Sequence, residues 1–244
     1  MMYRIRSPTS RNSLLYGGKT SIAYEPSTAS DNTSLPMVLQ RVKAVTTDDG
    51  RGTVATTGYT YSGGLWNQAE QRFLGFRTVT ATLPCNLGET ACPSQVYSFR
   101  QDLAAAGEVA AVQSLSGSKT LRHVAQTWTT TGSPAALPYR SVNTRTDTTD
   151  YDDAGAARTK AVERTFDDFG NVTQSIDYGR LDVTGDERTT IRAYNAFNIS
   201  LYIVNVPSYL YMYAGIGRSG QKVSEEMYYY DYSNSTVTPA TKAF

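Results

Sequence analysis

The sequence predicts an all-β protein, mainly antiparallel, built of long twisted hairpins with little helix. Two observations predict it. Short runs rich in Thr, Val, Tyr and Phe alternate with clusters of Gly, Asp, Asn, Ser and Pro almost from end to end. Thr, Ser, Gly and Tyr carry much of the 244-residue chain, with 18 Tyr and a hydrophobic fraction of only 40%. Thr and Tyr favour pleated, half-wet surfaces. Sheets with water on both faces are therefore expected rather than a dense sandwich core.

In order, strands are expected near Thr20–Glu25, Met37–Thr46, Thr53–Tyr61, Phe73–Leu83, Gln95–Leu103, Lys119–Thr131 and Tyr139–Asp150. Others are expected near Ala157–Asp167, Asn171–Tyr178, Glu187–Tyr194, Leu201–Val206, Tyr209–Tyr213 and Lys222–Tyr230. Turn formers separate them, among them Asp48-Asp49-Gly50, Gly63-Gly64, Asp153-Ala154-Gly155 and Asp168-Phe169-Gly170. Only Asp102–Ala111 has a helical character, and Gly107 interrupts it. Tyr59 and Tyr61 share a strand face, as do Tyr97 and Phe99, and Tyr209, Tyr211 and Tyr213. Cross-strand packing explains such tyrosines, at roughly 0.2–1 kcal/mol per pair; a sugar-stacking surface is the sharper alternative. The best break in the chain is Gly132–Pro138. It divides a hairpin-rich region, residues 1–131, from a repeat-bearing β region, residues 139–244, and the two are able to form one continuous sheet.

Charge and motif content narrow the chemistry. The formal charge is +1 with acids and bases interspersed, so the clustered cations that nucleic acid requires are missing. No run approaches the length of an apolar membrane helix. The opening MMYRIRSPTSRNSLLYGG has cations without a long apolar run after them and does not read as a signal peptide. The chain is then cytosolic or a piece of something longer. Cys85 and Cys92 enclose NLGETA and either close as a disulfide across a hairpin mouth or stay as two free thiols. Two cysteines and a remote His123 do not make a conventional zinc site, and neither metal nor cofactor is expected.

Candidate catalytic groups are weak. His123 sits on an expected strand without a Gly-x-Ser-x-Gly elbow nearby. Asp152, Glu163, Asp167 and Asp177 would serve a glycosidase only if two of them faced each other across a cleft; turn chemistry explains them equally. Asp182–Glu187 lacks the full spacing of a calcium loop. Gly215–Gly220 reads as a hairpin turn rather than a phosphate loop. The Asn-x-Ser/Thr triplets at Asn32, Asn171, Asn198 and Asn234 decide nothing in a chain this rich in Ser and Thr.

The informative features are a repeat and an aromatic hairpin. DTTDYDDAGAARTK, ERTFDDFGNVTQSIDYG and EEMYYYDYSNSTV each place an aromatic before an Asp: Tyr151-Asp152, Phe166-Asp167 and Tyr230-Asp231. In the first two a Gly follows three residues after the Asp, at Gly155 and Gly170. The Asp oxygens satisfy turn amides and the Gly takes the positive φ of the return. One such unit cannot bury its own face and must stack on others. The hairpin GYTYSGGLWNQAEQRFLGFRTVTATLP sets Tyr59, Tyr61, Trp66, Phe73 and Phe76 at its joints, and these five are the candidate wall-packing residues.

The repeat resembles the YD repeat of RHS proteins. GGKTSIAYEPST, LPMVLQRVKAVTTDDGRG and YTYSGGLWNQAEQRFLGFRTV, in that order, resemble the central region of the B component of bacterial toxin complexes. The resemblance implies a β-sheet that spirals into a hollow shell around a toxic polypeptide, within a parent that is secreted or displayed at the cell surface. It implies encapsulation rather than catalysis. The β-propeller and the many further repeats of that family do not fit into 244 residues, and its C-terminal self-cleaving aspartate site has no match. The expected role is thus a structural wall section, with a toxin polypeptide or neighbouring shell segments as partners and self-association through exposed strand edges. A glycosidase with paired carboxylates on the same scaffold and a carbohydrate-binding β module are the other classes.

Overall fold

The computed structural model describes residues 9–13, 17–30, 34–133, 136–195, 199–230, 232–233, 236–237 and 241–243. Within them the protein is all-β, and the strand pairings are antiparallel. Their one helical element is a 3-10 turn at Ser27–Ala29. The strands are β1 (Thr9–Ser13), β2 (Lys19–Pro26), β3 (Gln40–Asp48), β4 (Val54–Asn67), β5 (Arg72–Thr82), β6 (Pro93–Phe99), β7 (Val109–Ser116), β8 (Lys119–Ser133) and β9 (Ala136–Tyr151). They continue as β10 (Ala157–Phe166), β11 (Val172–Arg180), β12 (Arg188–Asn195), β13 (Val206–Ala214) and β14 (Lys222–Tyr229), then the short β15 (Tyr232–Ser233), β16 (Thr236–Val237) and β17 (Thr241–Ala243).

The chain forms two compact units. One comprises the residues up to Ala125 together with Thr131–Ser141; the other comprises Gln126–Thr130 and the residues from Val142 on. In the first, each strand from β1 to β8 lies beside its sequence neighbour. In the second, β9 to β14 follow the same rule and β17 adds to β14, while β15 and β16 pair separately. Where the connection is a short turn, as between β3 and β4, β7 and β8, or β9 and β10, an antiparallel neighbour is the only reachable partner, and longer links such as that between β2 and β3 keep the same order.

Neither face of the sheets is a dry core. Along β6 and over Val206–Tyr213 of β13 every residue is half-buried, instead of alternating between buried and exposed. The buried hydrophobic side chains among the described residues are few: Leu74, Ala81, Ala105, Ala161, Ile176, Ile191 and Val204. Cross-strand pairs therefore take over much of the cohesion. Hydroxyl pairs Thr46–Thr56 and Thr149–Thr159 are each 2.9 Å apart. Ring pairs two residues apart on one strand add to this: Tyr209 stacks on Tyr211 at 4.5 Å, and Tyr97 lies nearly parallel to Phe99 at 6.2 Å.

Three segments depart from the sequence expectation. Gly63-Gly64, expected as a turn, lies within β4, and the chain turns instead between Asn67 and Arg72. Asp102–Ala111 is not helical. The Asp102 carboxylate accepts the Ala105 N–H at 3.1 Å, Gly107 turns the backbone at φ +89°, and the Arg100 N–H donates to the Glu108 carbonyl at 2.8 Å. The chain thus closes a loop and enters β7, where Val109 and Val112 join the ladder with β6. Alanine is permissive, and pairing with β6 overrides its helical preference. The strand expected at Leu201–Val206 is instead mostly a turn. The Tyr202 N–H donates to the Ile199 carbonyl at 3.0 Å and Tyr202 has φ +56°, so extended pairing begins only at Val206. The opening residues 1–8, Asp231 of the third repeat unit, and Asn32, Asn198 and Asn234 lie outside the described residues.

Candidate functional site

The β4–β5 hairpin brings four of the five candidate aromatics together. Antiparallel register sets Trp66 opposite Phe73, and Gly64 opposite Phe76. Phe73 meets Phe76 edge-on at 5.5 Å, and Phe76 meets Tyr61 at 5.0 Å. Such ring pairs each contribute about 0.5–1.5 kcal/mol beyond their buried area. Tyr59 lies two residues back on the same strand face, opposite the buried Ala81, and among the described residues its ring stands outside this chain of ring contacts. All five side chains are half-buried.

The glycines of the hairpin make the cluster possible. A register shift between Gly64 and Trp66 marks a bulge, which re-aims the strand past it. A Cβ on Gly64 would stand 2.9 Å from Leu35 Cδ1 and 3.1 Å from Phe76 Cε1, so only glycine lets both side chains close over the strand. The Gln101 side-chain amide then ties the two strands from outside. Its Nε2 donates to the Gly63 carbonyl at 2.6 Å and to the Gly75 carbonyl at 2.9 Å.

Arg41, on β3, is the centre of the cluster and was not legible in the sequence. Its guanidinium lies 5.0 Å from the Tyr61 ring centroid and 5.9 Å from that of Phe76. Nη1 donates to Ser30 Oγ at 2.6 Å and Nη2 to Glu25 Oε1 at 2.9 Å. The Arg41 side chain is 5% exposed and that of Glu25 is 18% exposed. Its Nε is buried with no protein partner. One cation thereby joins β2, the segment after the 3-10 turn, β4 and β5. Burial pushes the Tyr61 phenol above its ordinary pKa, while the Arg41 charge opposes that shift. The only local hint of this arrangement was a pair of glycines within a strand, which signals a close approach without naming the approaching group.

The acidic candidates belong to turns and ion pairs. Asp152 Oδ1 accepts the Ala156 N–H at 2.8 Å. Asp167 Oδ1 accepts from Phe169 at 3.0 Å and Asn171 at 2.8 Å, and Gly155 and Gly170 have φ +84° and +92°. A third copy of this turn, absent from the repeat alignment, sits at Asp49. Its Oδ1 accepts from Arg51 at 2.7 Å and Thr53 at 3.0 Å, and Gly52 has φ +101°. These amides hold the Asp49 carboxyl below its ordinary pKa. Asp177 Oδ1 accepts the Gly179 N–H at 2.9 Å; Glu163 Oε2 accepts from the Tyr178 hydroxyl at 3.2 Å and faces Arg145 Nη1 at 3.5 Å. Within Asp182–Glu187, Asp186 Oδ2 accepts the Arg180 N–H, and Glu187 Oε2 accepts the Gly185 N–H. Gly215–Gly220 is a hairpin turn pinned by the fully buried Thr189, which accepts the Gly217 N–H at 2.7 Å and donates to the Gly215 carbonyl at 2.8 Å. His123 lies on β8 opposite Gln113. Cys85 and Cys92 are joined in a disulfide. Among the described residues no group of His, Cys, Asp and Glu is arranged to hold a metal ion, and no helix is long and apolar enough to cross a membrane.

Residues 9–98, which include this cluster, match the family described as the insecticide toxin TcdB middle/N-terminal region. The chain resembles the B component of bacterial toxin complexes. Its fold agrees with that resemblance over nearly its whole length. The crystal structure of TcdB2-TccC3 superposes with a TM-score of 0.69 at 11% identity, covering 91% of this chain and 17% of that one. TcdB2-TccC3 without its hypervariable C-terminal region gives 0.67 at 12% identity, with 92% and 17% covered. The Photorhabdus luminescens Tc holotoxin pore gives 0.68 at 11% identity, with 91% and 16% covered. This chain therefore spans about a sixth of the length of the structures it matches. No curated protein sequence matches it.

Proposed function

We propose that the chain is a wall section of an RHS-type shell that sequesters a toxin polypeptide, and that its role is structural rather than catalytic. The observation that carries this reading is the strand order. From β1 to β8 and from β9 to β14 each strand lies beside its sequence neighbour, with strands half-wet on both faces, and this arrangement overlays complexes between a TcdB and a TccC component. Such a sheet gains stability by extension, because each added hairpin covers the edge of the one before. Tyr59, Tyr61, Trp66, Phe73 and Phe76 act as packing anchors that stiffen the wall at the β4–β5 hairpin. Neighbouring shell segments and the enclosed polypeptide are the partners, and a second copy of this chain takes the place of a neighbour when none is present.

Grafting the chain in place of the segment it overlays in TcdB2 tests the reading. The grafted protein, assembled with TccC3, should shield the hypervariable C-terminal region from added protease as the parent does. An assembly that forms with unchanged size and yet leaves that region open to cleavage would overturn it.

A further inference from the structure

The second unit contains an open groove of about 450 Å³ with no part in the cluster described above. Its volume lies within the roughly 300–1,000 Å³ of ordinary ligand pockets. Trp128 of β8, Phe166 of β10 and Val172 of β11 supply apolar lining, and Arg164 and Asn143 line the same groove. Arg164 is half-buried. Its Nη1 donates to Asn143 Oδ1 at 3.2 Å, an oxygen that also accepts the Thr146 hydroxyl at 3.0 Å.

The charge of Arg164 is unmatched. Among the described residues no carboxylate lies within ion-pair distance of it. The nearby Arg145, by contrast, is paired with both Asp147 and Glu163. A guanidinium presents five N–H donors in a planar fork shaped for a carboxylate, and adjoining apolar side chains lower the local dielectric and strengthen such a pair. A single cation in an apolar lining is a poor phosphate site, which calls for several donors converging on one anion. The apolar lining suits apolar side chains flanking the charge.

The geometry points to this groove as a binding site for an extended peptide segment that carries a carboxylate between apolar side chains. Arg164 pairs with the carboxylate, Asn143 holds Arg164 in place, and Trp128 and Phe166 receive the flanking side chains. The identity of that peptide as part of the enclosed polypeptide rests on the shell reading; the binding chemistry does not.

Trp128 provides the readout, because it lines the groove and the chain has only two tryptophans. The capped pentapeptide Leu-Asp-Leu-Glu-Leu is titrated into the intact chain and compared with Leu-Asn-Leu-Gln-Leu. The acidic peptide should change the emission, and the change should vanish in Trp128→Phe. Arg164→Gln should weaken binding about tenfold or more, as loss of a charge-assisted hydrogen bond implies. Arg164→Lys should restore part of it. Equal affinity for the two peptides, unchanged affinity in Arg164→Gln with an unaltered circular dichroism melt, or no emission change at millimolar peptide would each overturn the proposal. If Arg164→Gln fails to fold, the comparison of the two peptides on the wild-type chain decides alone. None of these outcomes bears on protease shielding by the grafted shell, so the two readings fail separately.

Discussion

Arg41 concentrates more of the first unit's tertiary structure than any aromatic side chain does. A nearly buried guanidinium in contact with Glu25, Ser30, Tyr61 and Phe76 cannot be removed without leaving Glu25 only the exposed Lys43 ammonium, 3.8 Å away. Losing one partner of a buried pair costs about 3–5 kcal/mol. Arg41→Met should accordingly lower the stability of the first unit by about 3 kcal/mol in urea unfolding, and adding Glu25→Gln should recover part of the loss. An unchanged midpoint for the single variant would show that the pair is energetically neutral. Trp66→Ala should lower the melting temperature, with a cost of about 2 kcal/mol for a half-buried ring. Unchanged melting with loss of retention on a polysaccharide gel would make Trp66 a binding residue instead. Asp49 brings a pH dependence of known sign. Its folded pKa lies below the ordinary value of 3.8, so its stabilising effect is complete above that value and fades as pH falls through and below it. Asp49→Asn should therefore flatten the acid limb of the stability curve below about pH 5, read from chemical unfolding at stepped pH.

At the scale of the element, the hairpin turn is the recurring unit. The three copies at Asp49, Asp152 and Asp167 use the same bonds. The Asp N–H donates to the carbonyl four residues on at 3.1, 3.1 and 3.0 Å, and a glycine three residues on takes positive φ. Each copy is flanked by a cross-strand threonine pair: Thr46–Thr56, Thr149–Thr159 and Thr165–Thr173. Gly155 isolates the backbone contribution, because a Cβ there would meet nothing within 4 Å. Gly155→Ala should still cost about 1–2 kcal/mol through the left-handed backbone alone, and a neutral result in thermal melts would refute that account. The Cys85–Cys92 disulfide closes the β5–β6 connection where the Leu83 N–H donates to the Pro93 carbonyl at 2.8 Å. A loop this short predicts a loss of roughly 2–3 kcal/mol on reduction. A melting shift with dithiothreitol that persists in the Cys85→Ala/Cys92→Ala double variant would rule out the cross-link as its source.

At the scale of the whole molecule, sheets wet on both faces need neighbours. Few side chains are fully buried, and β14 ends against the short β17. A strand edge protected so lightly pairs readily with another chain. Light scattering should therefore show a mass that rises with protein concentration, and a constant monomer mass at high concentration would count against edge association. The same property accounts for the acidic positions. A thin sheet offers carboxylates to its own turns, as at Asp152, Asp167 and Asp177.

The sequence by itself determined the all-β class, the Asp- and Gly-marked turns such as those at Asp49, Asp152 and Asp167, and the faces shared by the tyrosines. These properties depend on residues one to four positions apart: an Asp oxygen reaching an amide, a glycine admitting positive φ, a side chain repeating every second residue. Only the tertiary structure decided that Val109–Ser116 pairs as a strand, that Cys85 and Cys92 are bonded, and that Gly64 yields to Leu35 and Phe76. It alone brought Arg41 beneath Tyr61, twenty residues away in the chain. Pairing and close approach join segments far apart in sequence, and no local pattern encodes which distant group arrives.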